Sequence, residues 1–125
     1  MTSSGKFFIS GGEDNTIKVF DFLERQVVHA FEQAHEDAIL CIAASPDEKI
    51  FASGSADKTI KLYDLVEGDE LYHFKKAHED AIWDLLITSD NRRLISCSAD
   101  KSIKIFSLQS KQVIYHFQEA HDSKR

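Results

Sequence analysis

The sequence predicts an all-β protein built from one strand-rich unit repeated along the chain, and three observations predict it. First, the stretch Asp57-Lys58-Thr59-Ile60-Lys61-Leu62-Tyr63-Asp64 occurs three times. It appears before as Asp14-Asn15-Thr16-Ile17-Lys18-Val19-Phe20-Asp21, and after as Asp100-Lys101-Ser102-Ile103-Lys104-Ile105-Phe106-Ser107. Second, each copy begins 43 residues after the one before, and the same step relates His35, His78 and His121, and Phe31, Phe74 and Phe117. A fixed period of about 40 to 45 residues marks a repeat architecture. Third, within one period the apolar residues fall in short runs broken by turn residues, a pattern of strands and not of helices.

In the period that opens at His35, Ala38 to Ala44 is a continuous apolar run, expected of an inner strand covered on both faces. Ser45-Pro46-Asp47-Glu48-Lys49 is a turn, with proline presetting one dihedral and aspartate able to bond its own backbone. Ile50 to Ser55 is a second strand, and Ala56-Asp57-Lys58 turns the chain into a third, Thr59 to Leu65, which alternates polar and apolar. After Glu67-Gly68-Asp69 comes an outer strand, Glu70 to Lys76. Polarity thus rises from first strand to fourth, as from a buried centre to an exposed edge. Residues 78–120 repeat the scheme with strands at Ala81 to Ile87, Leu94 to Ser98, Ser102 to Leu108 and Gln112 to Gln118. The first copy, residues 1–34, is incomplete: Lys6 to Gly12 aligns with a second strand, so the inner strand is missing. Residues 121–125 open a further copy. The expectation is eleven strands, as two complete four-stranded antiparallel units (35–77 and 78–120) and one of three.

Composition narrows the function. A formal net charge of −6 argues against nucleic acid, because a basic face is needed to displace counterions from phosphates. No apolar run approaches the roughly 20 residues that span a bilayer, and the first residues lack a signal-peptide layout. Cys41 and Cys97 occupy different repeat positions, which favours buried thiols over a disulfide and a reducing, cytoplasmic setting.

Three motifs recur in phase. Ala-His occurs as Ala34-His35, Ala77-His78 and Ala120-His121. A serine turn occurs as Ser10-Gly11-Gly12-Glu13-Asp14, Ser53-Gly54-Ser55-Ala56-Asp57 and Ser96-Cys97-Ser98-Ala99-Asp100. An aromatic-acid pair closes the third strand as Phe20-Asp21 and Tyr63-Asp64, and as Phe106-Ser107 in the last copy. Together these resemble the WD-repeat family of β-propellers, whose repeat runs from Gly-His through Ser-Gly-Ser-x-Asp to Trp-Asp. The resemblance implies that each copy is one blade of a propeller with its fourth strand outside. It also implies a buried hydrogen-bond network of His35, Ser53 and Asp57 in one blade and His78, Ser96 and Asp100 in the next. Because Phe106 has no donor and Tyr63 only a distant hydroxyl at the family's Trp position, the network is expected to be a triad. The first blade holds Ser10 and Asp14 without a histidine and His121 stands without a serine or aspartate, so these half-sites are expected to complete each other across a chain junction.

A His/Ser/Asp set invites a hydrolase reading. The set recurs in two blades at identical spacing, however, and nothing resembles a nucleophile elbow, so architecture is the better reading and no catalytic residue is assigned. The six histidines show no metal-ligand spacing, and no phosphate-binding loop is present, so neither metal nor cofactor is expected. Trp83 is the position to single out, with Leu40 as its counterpart one period earlier. It reads either as packing against the next blade or as a binding hot spot. Glu36, Asp37, Glu79, Asp80 and Asp84 would set an acidic rim on the same face, suited to steering a basic protein or peptide.

Propellers close with about four to eight blades, and fewer than three here would leave apolar flanks bare. The chain therefore reads either as part of a longer propeller that binds proteins or peptides on its loop faces, or as a self-assembling module in which several chains close one ring. Dimers would supply about six blades and trimers about nine.

Overall fold

A computed structural model describes residues 2, 4–12, 14–75 and 77–118. Among them are eleven strands and no helix. β1 (Phe7–Gly11), β2 (Ile17–Asp21) and β3 (Gln26–Phe31) form a three-stranded antiparallel sheet. β4 (Ile39–Ala44), β5 (Ile50–Ser55), β6 (Ile60–Asp64) and β7 (Glu70–Phe74) form the second sheet, in that spatial order. β8 (Ile82–Ile87), β9 (Arg93–Ser98), β10 (Ser102–Ser107) and β11 (Val113–Gln118) form the third. The fold is the all-β blade array that the repeat pattern predicts, with sheets of three, four and four strands.

The repeated octapeptide shows why the hairpins form. Its opening aspartate accepts a backbone N–H two residues on: Thr16 to Asp14 at 3.1 Å, Thr59 to Asp57 at 2.9 Å and Ser102 to Asp100 at 2.9 Å. Between them, Asn15, Lys58 and Lys101 take left-handed φ values of 66°, 76° and 70°, an arrangement that a short polar turn stabilises locally. The closing residue works the next turn. Asp21 Oδ1 accepts from the N–H groups of Leu23 and Glu24, Asp64 Oδ1 from Val66 and Glu67, and Ser107 Oγ from Ser110 N–H.

Sheet packs on sheet through two apolar clusters. The first joins Ile17 and Val19 of the first blade to Ile39, Phe51, Tyr63 and Leu65 of the second. The second joins Ile60, Leu62 and Phe74 of the second blade to Ile82, Leu94 and Phe106 of the third. An aromatic contact spans each junction, with ring centroids 4.5 Å apart for Phe31–Tyr63 and 4.7 Å apart for Phe74–Phe106. Glycines in β1 and β5 let the next blade approach. A Cβ on Gly11 would lie 2.7 Å from Ile39 Cγ2, and one on Gly54 would lie 2.7 Å from Ile82 Cγ2.

Two features differ from the sequence reading. Polarity does not rise evenly from the inner strand, because β4 is mostly half-buried while β5 is the most enclosed. β5 lies between β4 and β6, whereas β4 is an edge strand of the sheet. Each four-stranded sheet also carries a bulge at Leu40 or Trp83 in its inner strand, where the register slips between Ile39 and Cys41 and between Ile82 and Asp84. The apolar runs gave no sign of these bulges.

Candidate functional site

The buried centre of each complete blade is a histidine turn locked to its second strand, β5 or β9. His35 has a fully buried side chain. Its Nδ1–H donates to Asp57 Oδ2 at 3.0 Å and lies 2.9 Å from Thr59 Oγ1, while Nε2 accepts from the Ser53 hydroxyl at 2.7 Å. The carboxylate can only accept, so it fixes the tautomer with the proton on Nδ1. His78 repeats this with Asp100 at 3.2 Å, Ser102 at 2.8 Å and Ser96 at 2.7 Å. Burial lowers the pKa of both imidazoles, against the opposing pull of Asp57 and Asp100. Burial also pushes up on each carboxyl. Hydrogen bonds from Thr59 and Glu36, or from Ser102 and Glu79, together with the histidine, outweigh it and hold both carboxyls below the usual range.

The expected triad is therefore a set of four. Thr59 Oγ1 donates to Asp57 Oδ1 at 2.5 Å, and Ser102 Oγ does the same to Asp100 Oδ1. A signal for the hydroxyl was present in the sequence, since a Ser or Thr stands two residues after the turn aspartate in all three copies. Tyr63, at the Trp position, is instead a packing residue stacked on Phe51 with centroids 4.9 Å apart. Its hydroxyl is buried without a hydrogen bond of normal geometry. Burial raises its pKa, with Ser53 near enough to pull slightly the other way.

These sets are built into the fold: Ser53 and Ser96 are fully buried, and each hydroxyl donates to its histidine. What they do is fix the turn outside them. Asp57 Oδ2 also accepts from Glu36 N–H at 2.9 Å, and Asp100 Oδ2 from Glu79 N–H at 2.9 Å. The Ser55 hydroxyl donates to the Ala38 carbonyl and that of Ser98 to the Ala81 carbonyl, both at 2.8 Å. Asp37 and Asp80 each accept the next residue's N–H at 2.7 Å. The network thus pins 35–38 and 78–81, the segments that lead into Leu40 and Trp83.

Trp83 is 64% exposed, and Leu40 is 45% exposed although its blade is packed on both sides. Trp83 is the extra residue of a bulge in β8, a feature that re-aims a side chain. Glu36, Asp37, Glu79, Asp80 and Asp84 are all exposed. The Asp84 carboxylate accepts the Leu85 N–H at 2.9 Å. The proposed half-site fares differently. Asp14 is exposed and serves its own turn, Ser10 is half-buried, and His121 lies outside the described residues.

One role escaped the sequence reading. His29, on the outer strand of the first blade, donates from Nε2 to the Leu65 carbonyl at 3.1 Å across the junction. The equivalent Leu108 carbonyl is taken from within its own blade, by Lys111 Nζ at 2.6 Å. The two donors come from different repeat positions, so periodicity could not reveal them.

The family model of the WD domain, G-beta repeat, matches residues 1–21, 25–64 and 68–107. The chain belongs to the WD-repeat family. Each matched WD repeat of 40 residues runs from an outer strand through the first three strands of the following blade. The WD array superposes on the crystal structure of the RRP9 WD40 repeats with a TM-score of 0.89 at 25% identity, covering 94% of this chain and 37% of that one. The structure of U3-55K matches with the same figures. The chain thus spans little more than a third of either structure. A search of curated proteins finds no match. WD propellers are in general protein-interaction scaffolds and typically not catalysts.

Proposed function

We propose that this chain is a non-catalytic binding module whose protein or peptide partner docks on the turn face carrying Leu40 and Trp83. The exposed Trp83 on a bulge carries the proposal. A large aromatic held out by a fixed backbone loses little freedom on binding and is the residue type that dominates interface energies. Five exposed carboxylates, those of Glu36, Asp37, Glu79, Asp80 and Asp84, stand within four residues of Leu40 or Trp83 in the sequence, against Lys58 and Lys101 on the adjoining turns, which favours a basic partner and fast, salt-sensitive association. The setting is a reducing intracellular one, in keeping with two free thiols. Selection of random peptides on the chain tests the reading. Lysine- and arginine-rich binders that are lost with Trp83→Ala are expected, and binders without charge bias or indifferent to Trp83→Ala would refute it.

A second reading, association of several chains into one closed ring, draws on the apolar side chains left open on the outermost sheet faces. Phe8 and Phe22 stand out on the first blade, and Leu86 and Phe117 on the third.

A further inference from the structure

The two internal junctions of the array differ at their outer strands, although the repeat places equivalent positions there. Between the first and second blades a histidine closes the seam. His29 of β3 lies over Gly68, where a Cβ would run into its Nδ1, and its Nε2 reaches the Leu65 carbonyl. The charged residues that the repeat places at this seam are Glu32 and Glu70.

One period on, every part of that closure is changed. Tyr72 stands for His29, Lys111 for Gly68, Lys75 for Glu32 and Val113 for Glu70. A side chain at position 111 removes the space that the histidine ring used, and Lys111 meets the Leu108 carbonyl itself. Tyr72 packs on Phe74 of its own strand, with ring centroids 4.7 Å apart, and stays exposed. What remains between β7 and the third blade is an open groove of about 440 Å³, within the size range of binding sites.

The floor of the groove is the buried pair Phe74 and Phe106, its walls are Tyr72 and Val113, and its rim carries Lys75 and Lys111. Among the described residues no carboxylate lines it. In a chain of net charge −6 this is a local reversal of sign, made by three changes at fixed repeat positions. Burial, and after it the nearby Lys61, lower the pKa of His73 in the same wall, so the fixed positive charge belongs to the two lysines. Both blades that form the groove have all four strands. The inner strands β4 and β8, which carry Leu40 and Trp83, lie at the opposite sheet edges from β7 and β11.

An apolar floor between lysines selects the occupant by charge complementarity. An open groove cannot enclose a small molecule, which in typical sites is largely buried, but it can take a side chain from a peptide laid along the seam. We propose that this groove docks an acidic peptide segment of a partner protein. One apolar or aromatic side chain sits on Phe74 and Phe106, and flanking Asp or Glu side chains pair with Lys75 and Lys111. The site is separate from the Leu40 and Trp83 face and opposite to it in charge preference.

The probes are labelled hexapeptides holding one Leu, Phe or Trp among Asp and Glu. Matched controls carry Lys in place of the acids, or Ser in place of the apolar residue. Fluorescence anisotropy with the whole chain reads binding, and a thermal melt checks every variant. Acidic peptides are expected to bind and both controls to fail. Lys75→Glu with Lys111→Glu should weaken binding about tenfold or more, since two attractions become repulsions. Tyr72→His with Lys111→Gly, which writes the first junction's closure into the second, should remove binding, and Trp83→Ala should leave it unchanged. If the double lysine variant melts without cooperativity, Lys75→Glu alone, in an exposed turn, replaces it and should still weaken binding. Failure of every acidic peptide, equal binding of the basic controls, or affinity indifferent to the lysine changes overturns the proposal. Binding lost with Trp83→Ala overturns it by assigning acidic peptides to the other face. Free phenylpropionate binding as tightly as the peptides assigns the groove to a small molecule. A concentration-dependent rise in mass that Lys111→Glu abolishes assigns it to a second copy. Either result overturns the peptide assignment.

Discussion

Replacing His35 by alanine removes the hub of the network in the second blade, and the structure sets how large the loss should be. Ser53 is fully buried and its hydroxyl donates to His35 Nε2 at 2.7 Å. Stranding that donor costs about 1–3 kcal/mol. Asp57 suffers less, because it keeps the N–H groups of Glu36 and Thr59 and the Thr59 hydroxyl, and its side chain is 12% exposed to water. With the cavity left by the imidazole, the total should be about 2–4 kcal/mol, a large share of a typical domain's stability. Urea denaturation at one fixed protein concentration measures it, since any self-association shifts the midpoint by mass action. The sharper test is the cycle with Ser53→Ala. Removing both partners leaves no orphan, so the double variant should recover about 1–2 kcal/mol relative to the sum of the single ones. Strict additivity would mean that the bond contributes nothing beyond packing, and would refute the argument.

Stability should also fall in acid in two stages. His35 and His78 have folded pKa values below the ordinary 6.5, so the stability tied to their neutral form is complete above that pH and is lost as pH falls towards the folded values. Asp57 and Asp100, depressed below 3.8, add a further loss as pH falls through their folded values. A urea midpoint that stays flat between about pH 7 and pH 5 would contradict the first stage. Gly54→Ala places a methyl 2.7 Å from both Cys41 Sγ and Ile82 Cγ2 and should cost about 1–3 kcal/mol, read from the same denaturation curves; an unchanged midpoint would show that the junction yields. The Cys41 thiol, pushed up to about 12 by burial, should resist alkylation at mild alkaline pH until urea unfolds the chain, and mass spectrometry of a timed reaction would expose any early labelling. Trp83 is the single tryptophan, so intrinsic fluorescence should show water-exposed emission and ready quenching by acrylamide, whereas a blue-shifted, protected emission would contradict its placement.

Much of the fold was legible because the repeat made each signal speak three times. The octapeptide at Asp14, Asp57 and Asp100 is both a hairpin turn and a strand, and its phase alone orders the sheets. Ser53 and Asp57 stand 18 and 22 residues after His35, and the three meet because the histidine turn and the β5–β6 hairpin converge at one end of the blade. The role of Thr59 was not legible because a hydroxyl two residues after a turn aspartate also suits an ordinary turn, and only the folded hairpin brings it to 2.9 Å from His35 Nδ1. Trp83 stayed ambiguous for a different reason. A bulge changes where one residue points without changing the apolar character of the run, so composition cannot distinguish an enclosed tryptophan from one turned out to water. The link from His29 to the Leu65 carbonyl depends on a contact between neighbouring blades that no single period contains.

Hydrogen exchange of the chain with and without a selected basic peptide tests the central claim most directly, because it reports where a partner sits. The account predicts protection concentrated in 36–40 and 79–85, the segments pinned by the two histidine networks, with the opposite turns around Asp47 and Asp90 unchanged. Protection confined to those opposite turns or to the outer strand Glu70–Phe74 would contradict it.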